Sequence, residues 1–158
     1  MKPVVQIFAD VVTAMNKDTH VFYLHGHRME IASTLAEMSA NSALKYQKFP
    51  LICLFQDFTE RVDLVGREVT LNLAIMTDTR PEYKSDERYE NSFVNCLYPL
   101  HDLLIKYMAR NKDIEGIKFE YDKTDRLYWG KSAIDGSVVN DFVDAIEITN
   151  LKLRIINC

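Results

Sequence analysis

With 158 residues, 47% of them hydrophobic, the chain is long enough for one core and too apolar to stay disordered. Nineteen Lys and Arg against 23 Asp and Glu leave a net charge of −4, which argues against a protein that coats nucleic acid, because such binding is driven by cations displacing counterions. Cys53, Cys96 and Cys158 are odd in number and form no CxxC pair, so neither a disulfide framework nor a structural zinc site is expected, and a reducing compartment is.

The opening residues reach an acid at Asp10 before a signal-like apolar stretch can form, so no signal peptide and no membrane span are expected. Val4, Ile7, Phe8, Val11, Val12 and Met15 recur at helical spacing behind Pro3, which predicts a helix over 3–16. Val21 to Leu24 is a short apolar run that reads as a strand. A second helix is expected from Arg28 to Ser39, with Ile31, Leu35 and Met38 on a narrow apolar face. Ser39 to Lys48 is polar and reads as a loop.

Phe49-Pro50 introduces a continuously apolar strand, Leu51 to Phe55, and Phe58, Thr59 and Val62 alternate more loosely beyond it. Leu64 to Arg67 marks a turn. Val69, Leu71, Leu73 and Ile75 then alternate strictly with their neighbours, the clearest strand signal in the chain. Together these runs predict a long antiparallel hairpin over 51–76. Thr77 to Ser85 reads as a charged loop. A third helix is expected over 86–111, kinked near Tyr98 by Pro99. Ile117, Phe119 and Tyr121 suggest a strand, Asp122 to Asp125 a turn, Leu127 to Trp129 a returning strand, and Asp135-Gly136 a loop. Phe142 to Ile156 is the last strand. Its apolar parity changes between Ile148 and Leu151, which requires an inserted residue and predicts a bulge near Thr149-Asn150. The order predicts one α+β domain over 1–158: a mainly antiparallel sheet with a long β-hairpin, and helices packed on one face.

Few residues suggest chemistry. His25-Gly26-His27 could share a metal if both imidazoles faced one way with a third ligand, or could simply be a glycine turn into the second helix. Asp141, Asp144 and Glu147 near the last strand, and Glu82, Asp86, Glu87 and Glu90 around the third helix, could act as acid–base pairs or as solvated caps. No G-x-S-x-G and no glycine-rich phosphate loop occur in the sequence. No catalytic residue, metal ligand or cofactor is therefore assigned. Contact surfaces are the better candidates. Arg126, Tyr128, Trp129 and Lys131 gather the only Trp among residue types favoured at protein interfaces, although Trp129 could equally be core, or the group could stack on bases. At the hairpin end, Arg61, Asp63, Leu64 and Arg67 would surround an exposed apolar tip, unless the tip folds back on its own sheet.

The Phe49-Pro50-Leu51-Ile52 strand entry, the hairpin to Ile75, the long helix Glu90 to Met108 and the finish Asn140 to Ile148 into Leu151 to Ile155 resemble phage tail-terminator and tail-completion proteins. The wording of YQKFPLICLFQDF and DRLYWG is similar to phage and prophage proteins of Bacteroides-type hosts. The resemblance implies a tail-terminator-like fold and a non-enzymatic virion protein, assembled in the bacterial host cytoplasm. It implies a homo-oligomeric ring at the portal–tail junction, touching portal or connector and tail proteins. DNA would pass through the ring without specific binding, and no membrane would be involved. On this reading the last strand or the 51–76 hairpin supplies edge pairing between copies. A small metal-dependent hydrolase using His25 and His27, or a monomeric adaptor binding through Tyr128-Trp129, are the alternatives.

Overall fold

The computed structural model describes residues 1–40, 48–80, 82–115, 119–129 and 142–156. The first helix, α1 (Val4–Met15), buries Val4, Ile7, Phe8, Val11, Val12 and Met15, the stripe that its spacing sets out. Asn16 closes it. Its side-chain amide donates to the carbonyls of Val12 (2.8 Å) and Val21 (2.9 Å), and its Oδ1 accepts from the Val21 amide, so one side chain ends the helix and aims the chain into the sheet. Strand β1 (Phe22–Gly26) leads to α2 (Arg28–Ala40), whose first turn is capped by His27 Nδ1 accepting from the Met29 amide at 3.1 Å.

Strand β2 (Leu51–Phe55) is buried at every position. It pairs in parallel with β1, the α2 crossover joining the two, and antiparallel with β4 (Gly66–Thr79). Strand β3 (Glu60–Val62) pairs with β4 beyond β2, so the expected hairpin forms, with a break at 56–59. Strands β5 (Glu120–Arg126) and β6 (Phe142–Ile156) complete a six-stranded sheet in the order β1-β2-β4-β6-β5. It is mixed α+β and mostly antiparallel, as expected.

The β4–β6 ladder runs from Gly66 opposite Ile156 to Thr79 opposite Phe142, with one register shift between Leu71 and Leu73. Two residues of β6, Thr149 and Asn150, there face the single Asn72. This is the bulge that the parity slip predicts. Asn150 takes φ 56°, a left-handed conformation that Asn tolerates better than most residues, and its amide donates to Asn72 Oδ1 at 3.1 Å.

Four expectations are corrected. Leu127 to Trp129, read as a returning strand, form none, and Asp122 to Asp125, read as a turn, lie within one strand, β5. Its polarity reflects an edge position exposed along most of its length rather than a reversal of the chain. Strand β4 continues to Thr79, through the start of the expected loop. The helices do not all share a face. The core of α1 and the long helix packs on Ile52, Leu54, Leu73, Ile75, Ile146 and Ile148, whereas Ile31, Ala32 and Leu35 of α2 pack on Leu51, Cys53, Phe55, Ala74 and Met76, the opposite parity. Finally, β6 lies between β4 and β5 and has no free edge there to offer a neighbouring copy. Of the expected loop from Ser39 to Lys48, residues 41–47 lie outside the described residues, as do the Asp135-Gly136 loop and Ile117.

The third helix is built in three pieces: α3 (Ser85–Arg88), a π-helical segment (Tyr89–Leu97) and α4 (Tyr98–Arg110). Pro99 cannot donate to Asn95, four residues before it, and its ring crowds that carbonyl. The wider π-helical winding sits directly upstream, where the sequence predicts a kink. Phe93, Leu97, Leu100, Leu104 and Met108 still reach the core.

At the end of the ladder, β4 and β6 approach so closely that a Cβ on Gly66 would sit 2.2 Å from the Ile155 carbonyl oxygen. Gly66→Ala is therefore expected to cost about 1–3 kcal/mol in urea unfolding, the range for inserting a methyl into packed structure.

Candidate functional site

Beyond the sheet, the β3–β4 hairpin carries its tip into solvent. Leu64 is fully exposed, and Val65 and Val62 are 65% and 56% exposed, so the tip does not fold back on its own sheet. The turn is held by Asp63, whose Oδ1 accepts from the amides of Val65 and Gly66, both at 2.8 Å. Arg154 on β6 clamps the same carboxylate from the side, at 2.9 Å and 3.2 Å.

Arg67, which sequence reading places on the contact surface, is 2% exposed. Its guanidinium donates to Glu60 Oε1 at 2.7 Å and to the Lys2 carbonyl oxygen. Lys2 in turn reaches Asp10 (2.9 Å) and Asp113 (3.2 Å). Arg67 thus bolts the base of the hairpin to the N-terminal segment instead of meeting a partner. Its spacing gave no sign of this, because the acceptor at Lys2 is 65 positions away in sequence. Arg61 stays exposed.

The second predicted contact group divides. Trp129 is buried and stacks on Phe55 with ring centroids 6.3 Å apart, so its core reading holds. Its indole Nε1 donates to Glu147 Oε1 at 3.0 Å. The same carboxylate takes Arg28 at 2.8 Å and Arg126 at 3.2 Å, and the Arg28 guanidinium lies over the rings of Phe55 and Trp129. Arg126 is therefore committed to a buried acid. Tyr128 is 38% exposed, and the Arg88 guanidinium sits 3.8 Å from its ring centroid. Arg88 itself pairs with the buried Asp144 through two hydrogen bonds, 2.7 Å and 3.1 Å. Lys131 and Asp141 lie outside the described residues.

The histidine triplet is split by the end of β1. His25 Nδ1 contacts Gln56 Oε1 at 2.9 Å, while His27 Nδ1 is occupied by the α2 cap and its Nε2 lies 3.7 Å from Asp57. Among the described residues no group of three His, Cys, Asp or Glu is gathered as a metal site. A groove of about 980 Å³ runs beside the hairpin, lined in part by Asp57, Thr59, Arg61, Glu68, Lys152 and Arg154. Its charges alternate in sign, and Arg154 is shared among Asp63, Glu68 and Glu115. This arrangement suits a solvated or contact face, with no nucleophile set against a base. No helix among the described residues is long and apolar enough to cross a membrane.

No family model matches the chain, and no curated protein matches it.

Two outcomes follow from this geometry. The Val65 amide above all, with Arg154 and the Gly66 amide, holds the Asp63 carboxyl below its ordinary value of 3.8. A depressed folded value means that the stabilisation is full above pH 3.8 and lost as pH falls through the folded value. Amide exchange at 64–66, corrected for its intrinsic pH dependence, should therefore speed up on acidification below about pH 4, and Asp63→Asn should remove that step. Glu147→Ala leaves the Trp129 N–H without its acceptor, while the half-exposed Arg28 and Arg126 can turn to water. A loss of about 1–3 kcal/mol is expected in denaturant unfolding, read by the fluorescence of the single tryptophan.

Proposed function

We propose that the protein is a structural virion subunit that closes a homo-oligomeric ring at the portal–tail junction of a phage particle, ending or adapting the tail around the DNA channel. The observation that carries this reading is the braced apolar hairpin tip. An exposed Leu64 flanked by Val62 and Val65 is an unfavourable surface unless something covers it. Asp63, Arg154 and Arg67 hold it in one geometry, which lowers the ordering cost of docking.

A ring subunit needs such a feature. Each copy must offer one patch to a different patch on its neighbour, through a rotation that closes. The resemblance to tail-terminator and tail-completion proteins supplies the location, with portal or connector and tail proteins as the layers above and below. The mildly negative chain suits a channel through which DNA slides without adhering.

A monomeric adaptor, the alternative, would bind by Tyr128 and Trp129. The burial of Trp129 removes half of that surface.

The test is to image particles by cryo-electron microscopy. Density for several symmetric copies of this chain is expected at the neck. Particles assembled with L64D/V65D should lose the ring and show absent or irregular tails. Purified particles that lack the chain altogether would overturn the reading.

A further inference from the structure

Apart from the single methionines Met1 and Met29, the exposed large apolar side chains among the described residues fall into two groups. One is the tip, Val62, Leu64 and Val65; the other is Tyr89, Leu127 and Tyr128. The two lie at opposite ends of the same ladder. The tip sits next to Gly66, where β4 begins opposite Ile156. The second group sits where β4 ends. Arg126, which precedes Leu127, pairs with Ala145, and Tyr128 stacks on Arg88, whose partner Asp144 lies opposite Thr77. Tyr89 follows Arg88 in the chain and meets Tyr98 edge-on at 6.2 Å. The stretch of β4 from Gly66 to Thr77 separates the groups, about 36 Å at the usual rise per residue. No bending of one chain brings such ends together, whereas two copies laid head to tail cover both at once.

Charge points the same way. At the tip, Glu60 is taken by Arg67 and Asp63 by Arg154, which leaves Arg61 exposed without an ion-pair partner among the described residues. Around Tyr89 stand the exposed acids Asp86, Glu87 and Glu90. The two arginines there are committed, Arg88 to Asp144 and Arg126 to Glu147, and Lys84 stands exposed at the start of α3.

We propose that the hairpin tip of one copy docks on the Tyr89–Leu127–Tyr128 end of the next, with Arg61 meeting the acids beside Tyr89. The inference rests on the assembly reading above and assigns its partner surface. The contact is heterologous: the two faces are different, so each added copy exposes a fresh one of each kind.

The test uses two full-length variants, L64D/V65D, which spoils the tip, and D86K/E90K, which reverses the acids. All the changed residues are exposed, and circular dichroism should show both folded. By analytical ultracentrifugation the unaltered protein should associate, and each variant alone should associate about thirty-fold or more weakly, the loss expected from removing a hot spot. An equimolar mixture should form a one-to-one heterodimer and nothing larger, because only one sound interface can form. If D86K/E90K still self-associates, the tip pairs with itself and the proposal fails. If both variants associate normally, the proposal fails while the ring reading stands on other contacts. If the unaltered chain stays monomeric at the highest concentrations reached, this pairing is overturned, and imaging of particles decides the ring reading separately.

Discussion

The fold hangs on the antiparallel ladder between β4 and β6. The other elements are positioned by one of these two strands, by a layer that packs on them or, for β1, through β2. Extra length in a ladder helps only if both strands keep their apolar faces aligned, since a slip of one residue turns a strand inside out. The bulge at Thr149-Asn150 solves this. Before it, Ile146 and Ile148 face the helical layer of α1 and α4; after it, Leu151, Leu153 and Ile155 do. Without the extra residue these three side chains would face the polar groove. Asn150 suits the position twice over: it accepts the left-handed conformation, and its side-chain amide donates to Asp122 on β5 at 3.1 Å, tying the edge strand to the bulge.

The same strand carries the two buried acids, and their parity sends them to opposite faces. Asp144 meets Arg88 at the start of the long helix, and Glu147 gathers Arg28, Arg126 and Trp129 beneath α2. Buried ion pairs add little net stability over an apolar filling, because desolvation offsets most of the attraction. Their force lies in what they forbid. Moving the helix start away from Asp144, or α2 away from Glu147, would leave a buried charge uncompensated, at a cost far above that of losing one apolar contact. The ladder sets which residues face each layer, and the acids set where along the ladder each layer docks.

Much of this was legible in the sequence because it obeys simple periods. The stripe of α1, the alternation of Val69 to Ile75, the parity slip in the last strand and the disturbance ahead of Pro99 all follow from spacings of two or 3.6 residues. What escaped lay where local pattern and tertiary setting disagree. Strand β5 reads as a turn because edge strands carry charge rather than alternation. The helix α2 covers the second face, but its narrow stripe gave no hint of which face. Arg67 stands beside exposed residues in sequence and is buried by a partner far along the chain, at Lys2, while for Trp129 the sequence left the core and contact readings open. The exposed tip, by contrast, was readable, since Leu64 and Val65 fall in a turn between charged residues with no apolar period to draw them inward.

How copies of such a chain can meet is limited by its edges. The outer edge of β5 carries Glu120, Asp122, Lys123, Asp125 and Arg126, with Lys123 paired to Asp125 at 2.8 Å. Charges of this density discourage strand addition, the usual protection of an exposed edge. The opposite edge, β1, is five residues long and ends in Gly26, and β6 has partners on both sides. Backbone pairing between copies, attractive when only the strand pattern is considered, is thereby confined to the short strands β1 and β3. In the proposed assembly contacts between copies would come chiefly from side chains, and among the described residues the exposed apolar ones stand mostly at the two ends of the ladder. The bulge lets the ladder run to its full length without turning its core face outward, and that length keeps the two ends apart on every copy.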